Sequence, residues 1–197
     1  MNSAHHALRR FGFGRRGTEP LPGDPKRWLA LQLEGADPWL AGTGPSFRNV
    51  VHISRHNEVL IRTGITPEAG FAELFASDMV VLLNHAVSTD LPFRERLVWF
   101  WANHFTVSQR AGDWSQGTLG AYIHEAIRPH VTGRFADLLR AVMRHPAMVY
   151  YLNNDQSVGP RSVIGLRHHR GINENLAREC LELHTLGVQA GYTQRDV

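Results

Sequence analysis

Asp90-Leu91-Pro92-Phe93-Arg94-Glu95-Arg96-Leu97-Val98-Trp99-Phe100-Trp101-Ala102-Asn103-His104-Phe105 is the stretch on which the fold class turns. Asp90 and Pro92 punctuate a helix start. From Leu97 to Ala102 every residue is apolar, so at about 100° per residue the apolar side chains surround the axis. A helix of that kind belongs at the centre of a helical domain. Asn103 and His104 follow at once, and His104 projects on the side of Phe93, Leu97, Phe100 and Trp101. A histidine in such company is either a satisfied core residue or part of a site.

The same punctuation repeats on both sides of this stretch. Ser3 caps a short helix ending at Gly12, and Asp24-Pro25 starts one that Gly35 stops. Pro45-Ser46 opens a third, closed by Gly64. Thr66-Pro67-Glu68 predicts the start of a long helix through Phe71, Leu74, Phe75, Val81 and Leu82 towards Ser88, with an acid in the first turn. Further helices are expected over 115–128, 135–144 and 174–186. Residues 153–171 hold Asn-Asn-Asp, Gly-Pro and the Arg167-His168-His169-Arg170 cluster, with little apolar content, and read as an exposed loop. No stretch keeps the period of two that a sheet needs. The expected fold is mainly α, an irregular multi-helix bundle with no substantial sheet. Thr193 and Asp196 have the form of a capping box one residue before the chain ends. The expectation is therefore a single helical segment over 1–197, the N-terminal part of a longer domain and incomplete at its C-terminus.

Composition narrows the function classes. The net charge is +3, and the basic side is arginine except for Lys26. An arginine-rich chain reflects either a GC-rich genome or a nucleic-acid surface. Here the arginines are scattered among acids, which argues against nucleic acid. The longest apolar run is Met79 to Leu83, too short to span a bilayer. No apolar segment follows Arg9 and Arg10, so no export signal is read and the chain as written stays in the cytoplasm. Cys180 is the single cysteine, and no internal disulfide is possible.

The helix expected over 174–186 carries the rest of the polar chemistry. Leu176, Ala177, Cys180, Leu181 and Leu183 form an apolar arc, with Asn173 and His184 near its middle. Glu174, Arg178 and Glu182 follow one another at i,i+4 on the other side, beside Asn175 and Glu179. They read as a solvated ion-pair ladder or, alternatively, as an acidic wall facing a cleft. His184 is a hydrogen-bonded core histidine, a metal ligand or an acid/base group. His52 and His56, also at i,i+4, would offer two ligands to a metal from one helix face, with nothing else to complete the site.

Three stretches together are distinctive: His6-Ala7-Leu8-Arg9-Arg10-Phe11-Gly12-Phe13-Gly14, the run from Arg96 to Ser108, and the run from Asn173 to Val188 with Gly191-Tyr192-Thr193-Gln194-Arg195-Asp196-Val197. With His145-Pro146-Ala147-Met148 and Tyr151-Leu152-Asn153-Asn154, the chain resembles the large bacterial family of domain of unknown function 1800 (DUF1800). The resemblance implies a mainly helical protein without an established activity, about twice this long, often exported, and often encoded beside a sulfatase-like protein. Two function classes follow. One is an enzyme, exported in its full-length form, with acid/base or metal-assisted chemistry built from Asn103, His104, Glu174, Glu179, Glu182 and His184. The other is a non-catalytic scaffold or a partner of the sulfatase-like protein. The reading names no cofactor, metal or substrate.

Overall fold

A computed structural model describes residues 3–42, 44–67 and 70–197. Ten α-helices and several short 3-10 or π turns make up the fold, with no strand among the described residues. They run as α1 (Ser3–Phe11), α2 (Pro25–Leu31), α3 (Phe47–Arg62), α4 (Phe71–Ser88), α5 (Pro92–His104), α6 (Asp113–Tyr122), α7 (Phe135–Arg144), α8 (Pro146–Tyr151), α9 (Val163–His168) and α10 (Asn175–Glu182). The mainly α architecture expected from the punctuation is what forms.

Several starts follow the local chemistry. The Asp24 carboxylate accepts the Lys26 and Arg27 N–H groups at 3.0 and 3.1 Å, and Pro25 stands at the first helical position. Ser46 caps α3 through the Asn49 N–H. The long helix starts later than expected: Thr66 and Pro67 lie outside α4, and Glu68 lies outside the described residues. Gly70 is the cap, and the Glu73 side chain reaches back to its N–H at 2.8 Å. The first-turn acid is therefore Glu73.

α6 is the hub, packed against α4, α8 and α3. Its contact with α4 depends on two glycines one turn apart. A Cβ on Gly117 would lie 2.3 Å from the Phe71 ring, and one on Gly120 would lie 2.4 Å from the Asp78 carboxylate. Leu82, Val98, Phe105, Tyr122, Ile127, Leu138, Val142 and Met148 fill the core around this crossing. α4 also corrects the reading of the apolar runs. By length and composition alone its 18 residues are apolar enough to cross a bilayer. The run of five understated it because Asn84 and His85 interrupt the apolar letters without adding a fixed charge.

Two other expectations change. The helix expected over 115–128 runs on only to Tyr122, widens into a π turn at Ile123–Ile127 and tightens to a 3-10 turn at Arg128–His130. Pro129 explains the break, since it has no N–H and its ring crowds the preceding turn. α5 is not apolar-buried on all sides. Phe100 is 59% exposed, whereas Arg94 and Glu95 are buried with Val98. Pattern reading assigns charges to the surface, but Arg94 is tied down by donating to the carbonyls of Gln32, Glu34 and Gly35.

Residues 153–171 are exposed over most of their length, but they are not structureless. They include the 3-10 turn Asn154–Gln156 and the short helix α9.

Candidate functional site

His104 is the last residue of α5, and His184 lies in the turn after α10. Eighty residues apart in sequence, their rings sit 6.1 Å apart, with Phe105 against both. The helix expected over 174–186 ends at Glu182. Beyond it the chain makes wider turns, with His184 N–H donating to the Glu179 carbonyl and Leu186 N–H to Leu181. The Thr185 hydroxyl takes up the Cys180 carbonyl at 2.7 Å, and Gly187 closes the turn at φ +90°. This unwinding turns His184 inward to 6% exposure and leaves Leu183, expected on the apolar arc, 59% exposed.

His104 Nε2 lies 3.2 Å from the His184 carbonyl. A carbonyl only accepts, so His104 Nε2 carries a proton. His184 Nδ1 is buried without a hydrogen-bond partner. Burial, then the neighbouring His104, pushes the His184 ring below the ordinary imidazole pKa, although the contact to its backbone opposes this. His184 is therefore neutral at pH 7 and holds a basic or ligating nitrogen ready.

The other candidates do not join the pair. Asn103 is exposed. Glu174 accepts the Gln194 amide at 2.6 Å and faces Arg178 at 3.5 Å. Glu182 accepts the Tyr192 hydroxyl and faces Arg178 at 3.8 Å. Glu174, Arg178 and Glu182 thus form an ion-pair ladder, braced by Gln194 and Tyr192. Glu179 is half-buried, and its backbone carbonyl receives the Leu183 and His184 N–H groups. Among the described residues no three His, Cys, Asp or Glu side chains are placed to hold a metal. His52 and His56 do stack face to face at 6.5 Å.

Two polar centres were not visible in the sequence. The first surrounds Arg128, which is 1% exposed. One arm donates to Glu95 Oε1 at 2.8 Å; the other lies 2.7 Å from Glu95 Oε2 and donates to Asp37 Oδ2 at 3.1 Å. Its guanidinium sits 4.2 Å over the Trp39 ring, and Trp39 in turn stacks on His85 at 3.9 Å. His124 meets the edge of Trp39 at 5.2 Å; its Nε2 is buried without a hydrogen-bond partner, against Gly44. Burial lowers the pKa of both histidines, and Arg128 adds to this. His85 Nε2 also lies 3.5 Å from Glu95 Oε2. Residues 37–41 are thereby clamped onto α4, α5 and the π turn.

The second centre is Glu125 with His145. His145 Nδ1 accepts the Ala147 N–H at 3.2 Å, so the proton sits on Nε2, 3.3 Å from Glu125 Oε2. Glu125 Oε1 accepts the Phe47 N–H at 3.0 Å. Burial opposes the Glu125 charge, but the His145 and Phe47 hydrogen bonds outweigh it and lower the pKa. Every ring nitrogen is engaged, so this His–Glu pair fastens the starts of α3 and α8 rather than waiting for a proton. Only the side-chain types hinted at either centre; no local spacing joins positions 37, 85, 95, 124 and 128.

A family model described as "Protein of unknown function (DUF1800)" matches residues 6–197. No curated protein and no solved structure matches the chain.

Proposed function

The chain belongs to the DUF1800 family, and from that premise we propose that it carries a histidine acid/base centre made by His104 and His184. One observation carries this reading. The buried, unpartnered Nδ1 of His184 lies on a ring that meets a second imidazole. Leaving a buried ring nitrogen without a partner costs roughly 1–3 kcal/mol, and such a cost is characteristic of sites that receive a ligand or a proton. The neutral His184 would act as the base. His104, anchored by its Nε2–H on the His184 carbonyl, would orient a water or a substrate hydroxyl through its other ring nitrogen. The carboxylates of α10 are not part of the mechanism. Metal assistance would need a third ligand beyond these two rings.

The test is an activity screen of the whole protein against hydrolytic substrates, with His104→Ala and His184→Ala alongside. Removing a general base lowers turnover by about 10²–10⁴-fold. Any activity that both folded variants retain in full refutes the assignment.

A second reading, as the non-catalytic partner of a sulfatase-like protein, is favoured by the outer face of α4. Ala76, Val80, Leu83 and Val87 are exposed there at spacings of four, three and four, the seam of a helix that packs on another. Co-purification of the two proteins, lost in Val80→Glu and Leu83→Glu but kept in the histidine variants, would favour this reading over the first.

A further inference from the structure

Between Asp155 and Glu174 the chain has three arginines and no acid. Within the same stretch stand Val163, Ile164, Leu166 and Ile172, exposed by 81, 56, 65 and 67%. Four aliphatic side chains that far out of the core, on one short excursion of chain, are unusual in a monomeric surface.

The excursion is built, not loose. At its stem the Val158 N–H donates to the Gly171 carbonyl at 3.0 Å, and the Asn173 N–H donates to the Ser157 hydroxyl at 2.9 Å. Arg170 donates to the Gln156 carbonyl at 3.0 Å. Within the loop the Ser162 hydroxyl caps α9 by accepting the Gly165 N–H, and the Arg170 N–H returns to the Gly165 carbonyl. Gly165 is the one buried residue of α9. A Cβ there would lie 2.3 Å from the Gly159 carbonyl oxygen and 3.1 Å from that of Arg170. The glycine thus seats the helix on the loop base, and the rest of α9 faces outward. His169 ends the helix in the left-handed conformation at φ +51°.

We propose that this loop, residues 157–173, is a contact site for an anionic lipid surface. Val163, Ile164 and Leu166 enter the headgroup–acyl boundary, and Arg161 and Arg167 stay at the phosphate level. Three features select this occupant. The aliphatic tip gains by leaving water, which a phosphate backbone would not offer. The collar of arginines matches a negatively charged surface. The polar groups of the loop are largely spent on one another, so little unpaired backbone is carried towards the apolar phase. Nucleic acid is disfavoured because it would leave the exposed Val163, Ile164 and Leu166 in water. Geometry and charge pattern carry this proposal independently of the histidine centre.

The test is co-sedimentation of the whole chain with phosphatidylcholine vesicles, with and without phosphatidylserine, at low and physiological salt. Binding is expected to the serine-containing vesicles only and to weaken with salt. Replacing Arg161 and Arg167 by Gln should lower partitioning roughly twentyfold, each arginine contributing about fivefold. Replacing Val163, Ile164 and Leu166 by Asn should lower it at least about tenfold. Because all five positions are exposed, the variants should keep the wild-type thermal midpoint; the single variant Leu166→Asp serves if the triple variant does not fold. No sedimentation with either vesicle overturns the proposal, as does equal binding to both. Binding that survives the apolar substitutions also overturns it.

Discussion

Asp78→Asn should stabilise the protein, and by an amount that depends on pH. Asp78 lies on α4, 8% exposed, against the notch left by Gly120. Among the described residues no cation is paired with it, and burial raises its pKa from 3.8 to about 6. A rise of that size corresponds to about 3 kcal/mol. Because the folded pKa is raised, the favourable contribution is fully present below pH 3.8 and is lost as pH rises through about 6. Above about pH 7 the folded state carries the whole cost of a buried carboxylate. Asparagine has nearly the same shape and never ionises. The gain from Asp78→Asn should therefore approach about 3 kcal/mol at pH 8, fall to about 1 near pH 4.5 and vanish at lower pH. At roughly 2–4 °C per kcal/mol for a chain of this size, Tm should rise by about 6–12 °C at pH 8. The assay is thermal or urea unfolding of both proteins across that pH range, taking the difference at each pH so that every other titrating group cancels. A difference that stays flat between pH 4.5 and 8, or a variant less stable at pH 8, would refute the burial argument.

The remaining expectations concern packing and charge. Arg128→Met strands Glu95 and Asp37 in the interior and should cost about 3–5 kcal/mol, read from the denaturant midpoint. Gly120→Ala sets a methyl 2.4 Å from the Asp78 carboxylate; separating α4 from α6 should cost about 1–3 kcal/mol in the same assay. Phe105→Ala, fully buried, should cost about 3–5 kcal/mol, while Phe100→Ser should change stability by about 0.5 kcal/mol or less. Comparable losses at both positions would mean that α5 faces the other way.

The helices were legible where a single residue controls the backbone. Asp24 before Pro25 and Ser46 before Phe47 each act within one turn, so sequence neighbours suffice. Thr66-Pro67 misled for the same reason: its local signal is sound, but Glu73 offers Gly70 a capping bond that places the start later. The end of α10 was missed because i→i−5 turns leave no apolar signature, and Gly187 alone does not say how many residues before it unwind. His184 was identified from its place on an apolar face, yet it reaches the interior through that unwinding. The Arg128 centre was invisible because its members come from four separate places in the chain, at 37–39, 85, 95 and 124–128, and charged residues in a helical pattern are ordinarily read as solvated. Asp78 went unremarked on the same grounds, although two glycines one turn apart on α6, Gly117 and Gly120, are a sign that a neighbouring helix must fit closely there.

The two histidines with unpartnered buried nitrogens, His124 and His184, show why a polar group in the core does not by itself mark a site. Each nitrogen lacks a hydrogen-bond partner, and burial lowers the pKa of each ring. They differ in what holds them. His124 sits in the π turn between α6 and Arg128, pressed by Trp39 and Gly44; exposing it means breaking the Arg128–Glu95–Asp37 cluster and parting the core. His184 sits in a turn whose neighbours Leu183 and Leu186 are already 59 and 60% exposed. It is held on its own side mainly by backbone bonds within residues 179–187. Segments with few buried apolar contacts open at a small fraction of the global stability. A ligand can therefore reach the His184 nitrogen by local opening, whereas reaching His124 requires unfolding. That difference in the cost of access, more than the shared burial or the shared pKa direction, is what supports the proposed His104–His184 centre over one at Arg128.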